Sequence, residues 1–111
     1  MDDSQLLKGV LDVAVLAVID REDTYGYAIV RQLREGGLEG VGEASVYGTL
    51  RRLFQAGSLN AYVVASDEGP HRKYYGLTAA GRAELDRGRK QWSNFAGALE
   101  DLLDKRQGST R

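Results

Sequence analysis

The sequence predicts a mainly α fold with a small β-hairpin, an α+β chain, and three observations carry that prediction. Apolar residues repeat at three- and four-residue spacing through the first half, the period changes after Gly57 to two runs rich in β-branched and tyrosine residues, and a seven-residue apolar repeat runs through the last quarter. At 111 residues, 42% apolar and 28% charged, the chain can bury one core, and with no cysteine it has no disulfides to staple it.

The elements follow in order. Leu7, Val10, Leu11, Ala14, Val15, Val18 and Ile19 share a broad helical face and predict a first helix from about Ser4 to Ile19. Its apolar run, Val13 to Ile19, is flanked by Asp12 and Asp20 and is far short of the roughly 20 residues that cross a bilayer, so no membrane partner is expected. Asp20 to Asp23 form a polar break. Thr24 then reads as the N-cap of a second helix that carries Ile29 and Leu33 inward and ends at Gly36-Gly37. From Glu43 to Ala56, Val46, Leu50, Leu53 and Phe54 fall on one stripe with Gly57 beyond the end, which predicts a third helix. Leu59 to Val64 and Lys73 to Leu77 read as two strands joined by a polar loop holding Gly69-Pro70. Thr78 is the expected cap of a fourth helix from Ala79 to about Lys105, and Gln107 to Arg111 read as disordered.

Three helices, a hairpin and a long closing helix, in that order, describe a winged helix–turn–helix with a C-terminal extension. The expected division is residues 1–78 for DNA binding, 79–106 for dimerisation and 107–111 for a disordered tail, within one compact domain overall. If Val46, Leu50 and Leu53 face the core, then Ala44, Ser45, Tyr47, Gly48, Arg51 and Arg52 face outward or flank that face and are the expected DNA contacts of helix three. His71, Arg72 and Lys73, at the base of the hairpin, are expected on phosphates beside the groove. Asp67 and Glu68 would be repelled there, so the hairpin tip is expected to point away from DNA or to move on binding.

The net charge of −1 at first argues against a nucleic-acid partner, but its distribution does not. Residues 1–43 carry 4 basic and 9 acidic side chains, whereas residues 44–77 carry 4 basic and 2 acidic. The basic excess falls on the segment that should meet double-stranded DNA, and with so few cations a monomer should bind weakly. The last helix is expected to supply a second copy. Leu85, Trp92 and Leu99 are spaced by seven, as are Gly88, Phe95 and Leu102, so Leu85, Trp92, Phe95, Leu99 and Leu102 form the expected homodimer seam. A two-fold dimer would present its recognition helices about 34 Å apart to a pseudo-palindromic site. Trp92, near the axis, either binds a planar aromatic effector between paired indoles or only packs the seam.

Catalytic and metal chemistry finds no support. Cysteine is absent, His71 is the sole histidine, and no nucleophile–base pair or phosphate-binding glycine loop stands in the sequence, so no enzyme activity, cofactor or metal is expected. Met1-Asp2-Asp3-Ser4 lacks a positive secretory n-region, and a cytoplasmic location is expected. The competing function is a winged helix used only for protein–protein contact.

At Leu7-Lys8-Gly9, Tyr25-Gly26-Tyr27, Ser45 to Leu53 and above all Arg72-Lys73-Tyr74-Tyr75-Gly76-Leu77-Thr78-Ala79-Ala80-Gly81, the sequence resembles the PadR family of bacterial transcriptional regulators. The single C-terminal helix is similar to that of the smaller PadR subfamily. The resemblance covers nearly the whole chain and implies a cytoplasmic, dimeric winged-helix repressor released from its operator by small molecules. It also implies a planar ligand stacked on Trp92, which falls where drug-sensing members carry a tryptophan. Two positions depart from the family pattern: Gly48 stands where proline is common, and Gly42 replaces the usual capping serine or threonine. Both loosen the expected start of helix three, and the family's base preference does not transfer.

Overall fold

Helix α1, Ser4–Arg21, is the pillar of the fold, because its buried residues Leu7, Leu11, Val15, Leu16, Val18 and Ile19 reach every other layer of the core. The structure is a computed structural model that describes residues 4–66 and 69–104. The expected hairpin-tip residues Asp67 and Glu68, the end of the fourth helix at Lys105 and the expected disordered tail lie outside the described residues.

After α1 the chain forms β1 (Thr24–Tyr25), α2 (Gly26–Glu35), α3 (Glu43–Gln55), β2 (Leu59–Val64), β3 (Arg72–Leu77) and α4 (Ala79–Leu103). The fold class is as the sequence predicts: four helices and a small antiparallel sheet. The sheet has one strand more than the hairpin, in the order β1-β3-β2, with Thr24 opposite Tyr75 and Tyr25 opposite Tyr74. Thr24 is therefore not a helix cap. It is buried in β1, and α2 begins behind an extended Tyr25 with no side-chain cap.

Helix ends are set by local chemistry. α2 stops where Leu38 N–H bonds to the Leu33 carbonyl at 2.9 Å and Gly37 takes φ 117°, a left-handed conformation that glycine adopts without a Cβ penalty. Ser58 N–H reaches back to the Leu53 carbonyl in the same way past Gly57, φ 86°. The loop between α2 and α3 is tied down by Arg34, whose Nε and Nη2 donate to the Val41 carbonyl at 3.1 and 3.0 Å, while Val41 itself is buried.

Thr78 caps α4 as expected: its Oγ1 accepts from Gly81 N–H at 3.0 Å and donates to the Gly57 carbonyl at 2.7 Å. The first part of α4 then belongs to the core. A Cβ on Gly81 would overlap the Ser58 carbonyl oxygen, and one on Gly88 would stand 2.5 Å from Val13 Cγ2, so both glycines permit close packing, the second of α4 on α1. Leu85, between them, is 2% exposed. That corrects its expected place on the dimer seam, since a side chain enclosed by its own subunit has no surface left for a second one. Beyond Gly88 the helix projects. The radius of gyration, 16.9 Å, exceeds the roughly 13 Å of a compact chain of this length, because this helix protrudes from the core.

Candidate nucleic-acid interface

A helix turns by about 100° per residue, so the buried residues of α3, Val46, Thr49, Leu50 and Leu53, fix where its other side chains lie. Directly opposite them is a crest of Ala44, Gly48, Arg51 and Gln55. Tyr47 and Phe54 form one flank, and Ser45 and Arg52 form the other. The expected contact residues of α3 therefore divide among three faces.

The Tyr47–Phe54 flank is held by α2 and the wing. The phenol end of Tyr47 packs against Gly26 at the start of α2, so close that a Cβ on Gly26 would overlap its Cε1, Cζ and hydroxyl oxygen. Burial raises the pKa of the Tyr47 hydroxyl, and the Glu43 charge adds to the shift, so at neutral pH it is a neutral donor. Phe54, expected to face the core, is instead 45% exposed, with Lys73 Nζ 5.7 Å from its ring centroid. The core is already filled by Leu50 and Leu53, and Phe54 lies about 100° round the helix from Leu53, on the side towards the wing.

The wing cations lie on aromatic rings. Arg72 Cζ sits 4.4 Å from the Tyr25 centroid, and Lys73 Nζ is 5.8 Å from that of Tyr75. Tyr25, Tyr74 and Tyr62 form a row across the three strands, with centroids 5.5 and 6.0 Å apart, and the Tyr62 hydroxyl donates to Asp23 Oδ2 at 2.5 Å. These contacts stiffen the base of the wing at the height of α3. His71 is exposed just before β3.

Between the start of α2, Tyr47 and the wing base is a recess of about 360 Å³ lined by Tyr25, Gly26, Tyr27, Tyr47, Arg72, Lys73 and Tyr75. Tyr27 is exposed and Arg31 Cζ stands 5.8 Å from its ring. Sequence reasoning missed Tyr25, Tyr27, Arg31 and Phe54 as neighbours of the interface. The visible signal was glycine between two tyrosines at 25–27, a place where a ring from elsewhere could lie on the backbone.

Arg52 faces the other way. Its Nη1 and Nη2 donate to Asp12 Oδ2 and Oδ1 of α1, each at 2.9 Å, and the bonds and charge of Asp12 strengthen its hold on its proton. It was expected on DNA with Arg51, but a turn of about 100° between neighbours sends Arg51 to the crest and Arg52 to an intramolecular acid.

The remaining expected residues lie on α4, far from the recess. Trp92, Phe95, Leu99 and Leu102 are 50%, 61%, 43% and 67% exposed, and Trp92 and Phe95 are 6.1 Å apart. Trp92, Phe95 and Gln91 of α4 face Gly9, Val10, Val13, Ala14 and Ala17 of α1 across an open groove of about 370 Å³ floored by Gly88. Among the described residues no cluster of three or more His, Cys, Asp or Glu could hold a metal, and no helix is long and apolar enough to cross a membrane.

The model of the transcriptional regulator PadR-like family matches residues 15–87. A PadR-like transcriptional regulator from Bacillus cereus strain ATCC 14579 is 35% identical, with 91% of this chain and 98% of that one covered and a TM-score of 0.82. A Streptococcus transcriptional regulator is 32% identical over 91% and 99% of the two chains, TM-score 0.81. A PadR family transcription regulator from Clostridium difficile R20291 is 27% identical over 85% and 98%, TM-score 0.77.

Proposed function

Because this chain belongs to the PadR-like family of transcriptional regulators, and so is a DNA-binding regulator of transcription, not an enzyme, we propose that it is a cytoplasmic, ligand-responsive repressor acting as a homodimer on a pseudo-palindromic operator. The observation that supports the reading is that Tyr47, beside the α3 crest, lines one recess with Arg72 and Lys73 of the wing, while Lys73 Nζ stands 5.7 Å from the Phe54 ring on the same flank of α3. Ala44 and Gly48 are small enough to let the helix sit low in a major groove, Arg51 can read a base edge or hold a phosphate, and the wing cations reach the backbone beside it. Ser45, Tyr47 and His71 border this surface, Tyr47 as a neutral donor.

The second copy comes through α4. Trp92, Phe95, Leu99, Leu102 and Leu103 are 43% to 67% exposed along one helix, and contiguous apolar surface of this kind marks an interaction site. Pairing of the 79–106 segment in two copies covers that surface and sets the distance between two 1–78 units. The open groove beside Trp92 suits a flat apolar effector, which would stack on the indole and alter the α1–α4 angle.

Selection of bound duplexes from a random pool, followed by sequencing, tests the reading. A palindrome with half-site centres about 34 Å apart is the expected product, and no enrichment together with no salt-dependent duplex binding would leave a protein–protein module in its place. Arg51→Ala and Arg72→Ala should each weaken operator binding and flatten its logarithmic salt slope by about 0.9, one phosphate's worth. A flat aromatic ligand should quench Trp92 fluorescence and lower DNA affinity, and retention of that ligand by Trp92→Ala would remove the indole from the role.

A further inference from the structure

The pair between Arg52 and Asp12 joins α3 to a helix 40 residues away in sequence, and its geometry is a fork on a carboxylate, two bonds of 2.9 Å. Exposed ion pairs contribute little to stability in general, and here the side chains remain 59% and 40% exposed. What a bidentate fork adds is orientation, since two parallel bonds resist rotation where a single apolar contact permits it. Val46, Leu50 and Leu53 hold α3 against the core, but smooth aliphatic surfaces leave some freedom to roll about the helix axis. Tyr47 and Phe54 restrain one flank, and Arg52 restrains the other. The roll so fixed decides where Arg51 and Gly48 on the crest point.

The geometry points to Asp12 as a positioning residue for the recognition helix, through which the α1–α4 contact acts on α3. Its neighbour Val13 is the residue that meets Gly88 of α4 and lines the groove beside Trp92. α1 thus presents one side to the groove and another to Arg52, and a shift of α1 against α4 moves the carboxylate that holds the fork. This inference rests on the DNA-binding reading above and adds to it the route by which the α4 side of the molecule sets base discrimination.

The quantity to measure is the ratio of affinities for the selected operator and for a random duplex of equal length, with thermal melting recorded for each full-length variant. Asp12→Asn/Arg52→Gln removes one acid and one base, so net charge is unchanged. We expect its operator-to-random ratio to fall about three- to tenfold while it melts as wild type does. Arg52→Lys, which keeps the charge and loses the fork, should show the same loss, and Asp12→Glu should recover part of the ratio. A merely structural role would change the folded fraction and leave the ratio untouched.

Coupling is read from Gly88→Ala, which forces Val13 away. It should lower the ratio in the wild-type background, have no further effect in Asp12→Asn/Arg52→Gln, and be relieved by Val13→Ala, which restores the space. A ratio within about twofold of wild type in both Arg52 variants would overturn the positioning role. Equal effects of Gly88→Ala in the two backgrounds would overturn the route through Asp12. Failure of the underlying function would show in the wild type itself, as absence of salt-dependent duplex binding.

Discussion

Gly48 illustrates how a single residue separates the needs of the fold from the needs of function. It lies inside α3, where glycine costs roughly 1 kcal/mol relative to alanine, yet a Cβ placed on it meets nothing within 4 Å. The fold alone does not require glycine there, unlike Gly81 and Gly88. Gly48→Ala should therefore raise the melting temperature by several degrees, and at the same time weaken operator binding if the crest lies against a groove floor. Unchanged affinity in a stabilised variant would show that no close approach occurs at that position. Tyr75 offers a second residue-level test. Burial raises its hydroxyl pKa above the ordinary 10.0, partly offset by the Arg51 charge, so the folded state holds this proton more tightly than the unfolded chain. Its contribution is complete below pH 10 and is lost as the pH rises through the folded value. Urea titrations across that range should show stability falling with pH, and Tyr75→Phe should make the fall shallower.

At the level of elements, α4 is two devices on one helix. Its first turns, through Gly81, Leu85 and Gly88, are core, and the remainder carries Trp92, Phe95, Leu99 and Leu102, which the described residues leave 43% to 67% exposed. Leu85→Ala should cost about 2–5 kcal/mol by leaving a cavity in the core, where Leu85 is 2% exposed. Leu102→Ala should change subunit stability by no more than about 0.5 kcal/mol, and shift sedimentation from dimer towards monomer. A dimer that survives Leu102→Ala and the matching Phe95→Ala would move the interface elsewhere. The heptad spacing in the sequence could not make this division, because a repeat of seven marks a continuous stripe on the helix and is silent about which part its own domain covers. Other elements were more legible. The helical periods, the change of period after Gly57 and the Thr78 cap all depend on interactions within a few residues, and they appear where the sequence places them. β1 does not, since two residues are too few to show an alternation and its existence depends on Tyr74 and Tyr75, some 50 residues on.

For the whole molecule, charge and exposed apolar surface set the behaviour. A net charge of −1 with a basic excess of only two over residues 44–77, from α3 through the wing, predicts weak binding by one subunit and reliance on two. If folding and dimerisation are linked, stability depends on concentration. Each tenfold rise in protein should add about 1.4 kcal/mol per dimer, so melting should move up by a few degrees over a roughly hundredfold range. A melting temperature independent of concentration would contradict an obligate dimer.

The sequence by itself determined the mainly α class, the order of helices and hairpin, the cap of α4 and the segment where basic charge gathers. Each of these is written in short-range spacing, which a chain obeys before it folds. Only the tertiary structure decided that Arg52 is held by Asp12, that Phe54 turns to Lys73, that Leu85 is core and Trp92 is not, and that a third strand joins the sheet. Periodicity orients side chains about their own helix axis, whereas the identity of the neighbour each one meets is settled by contacts between residues tens of positions apart.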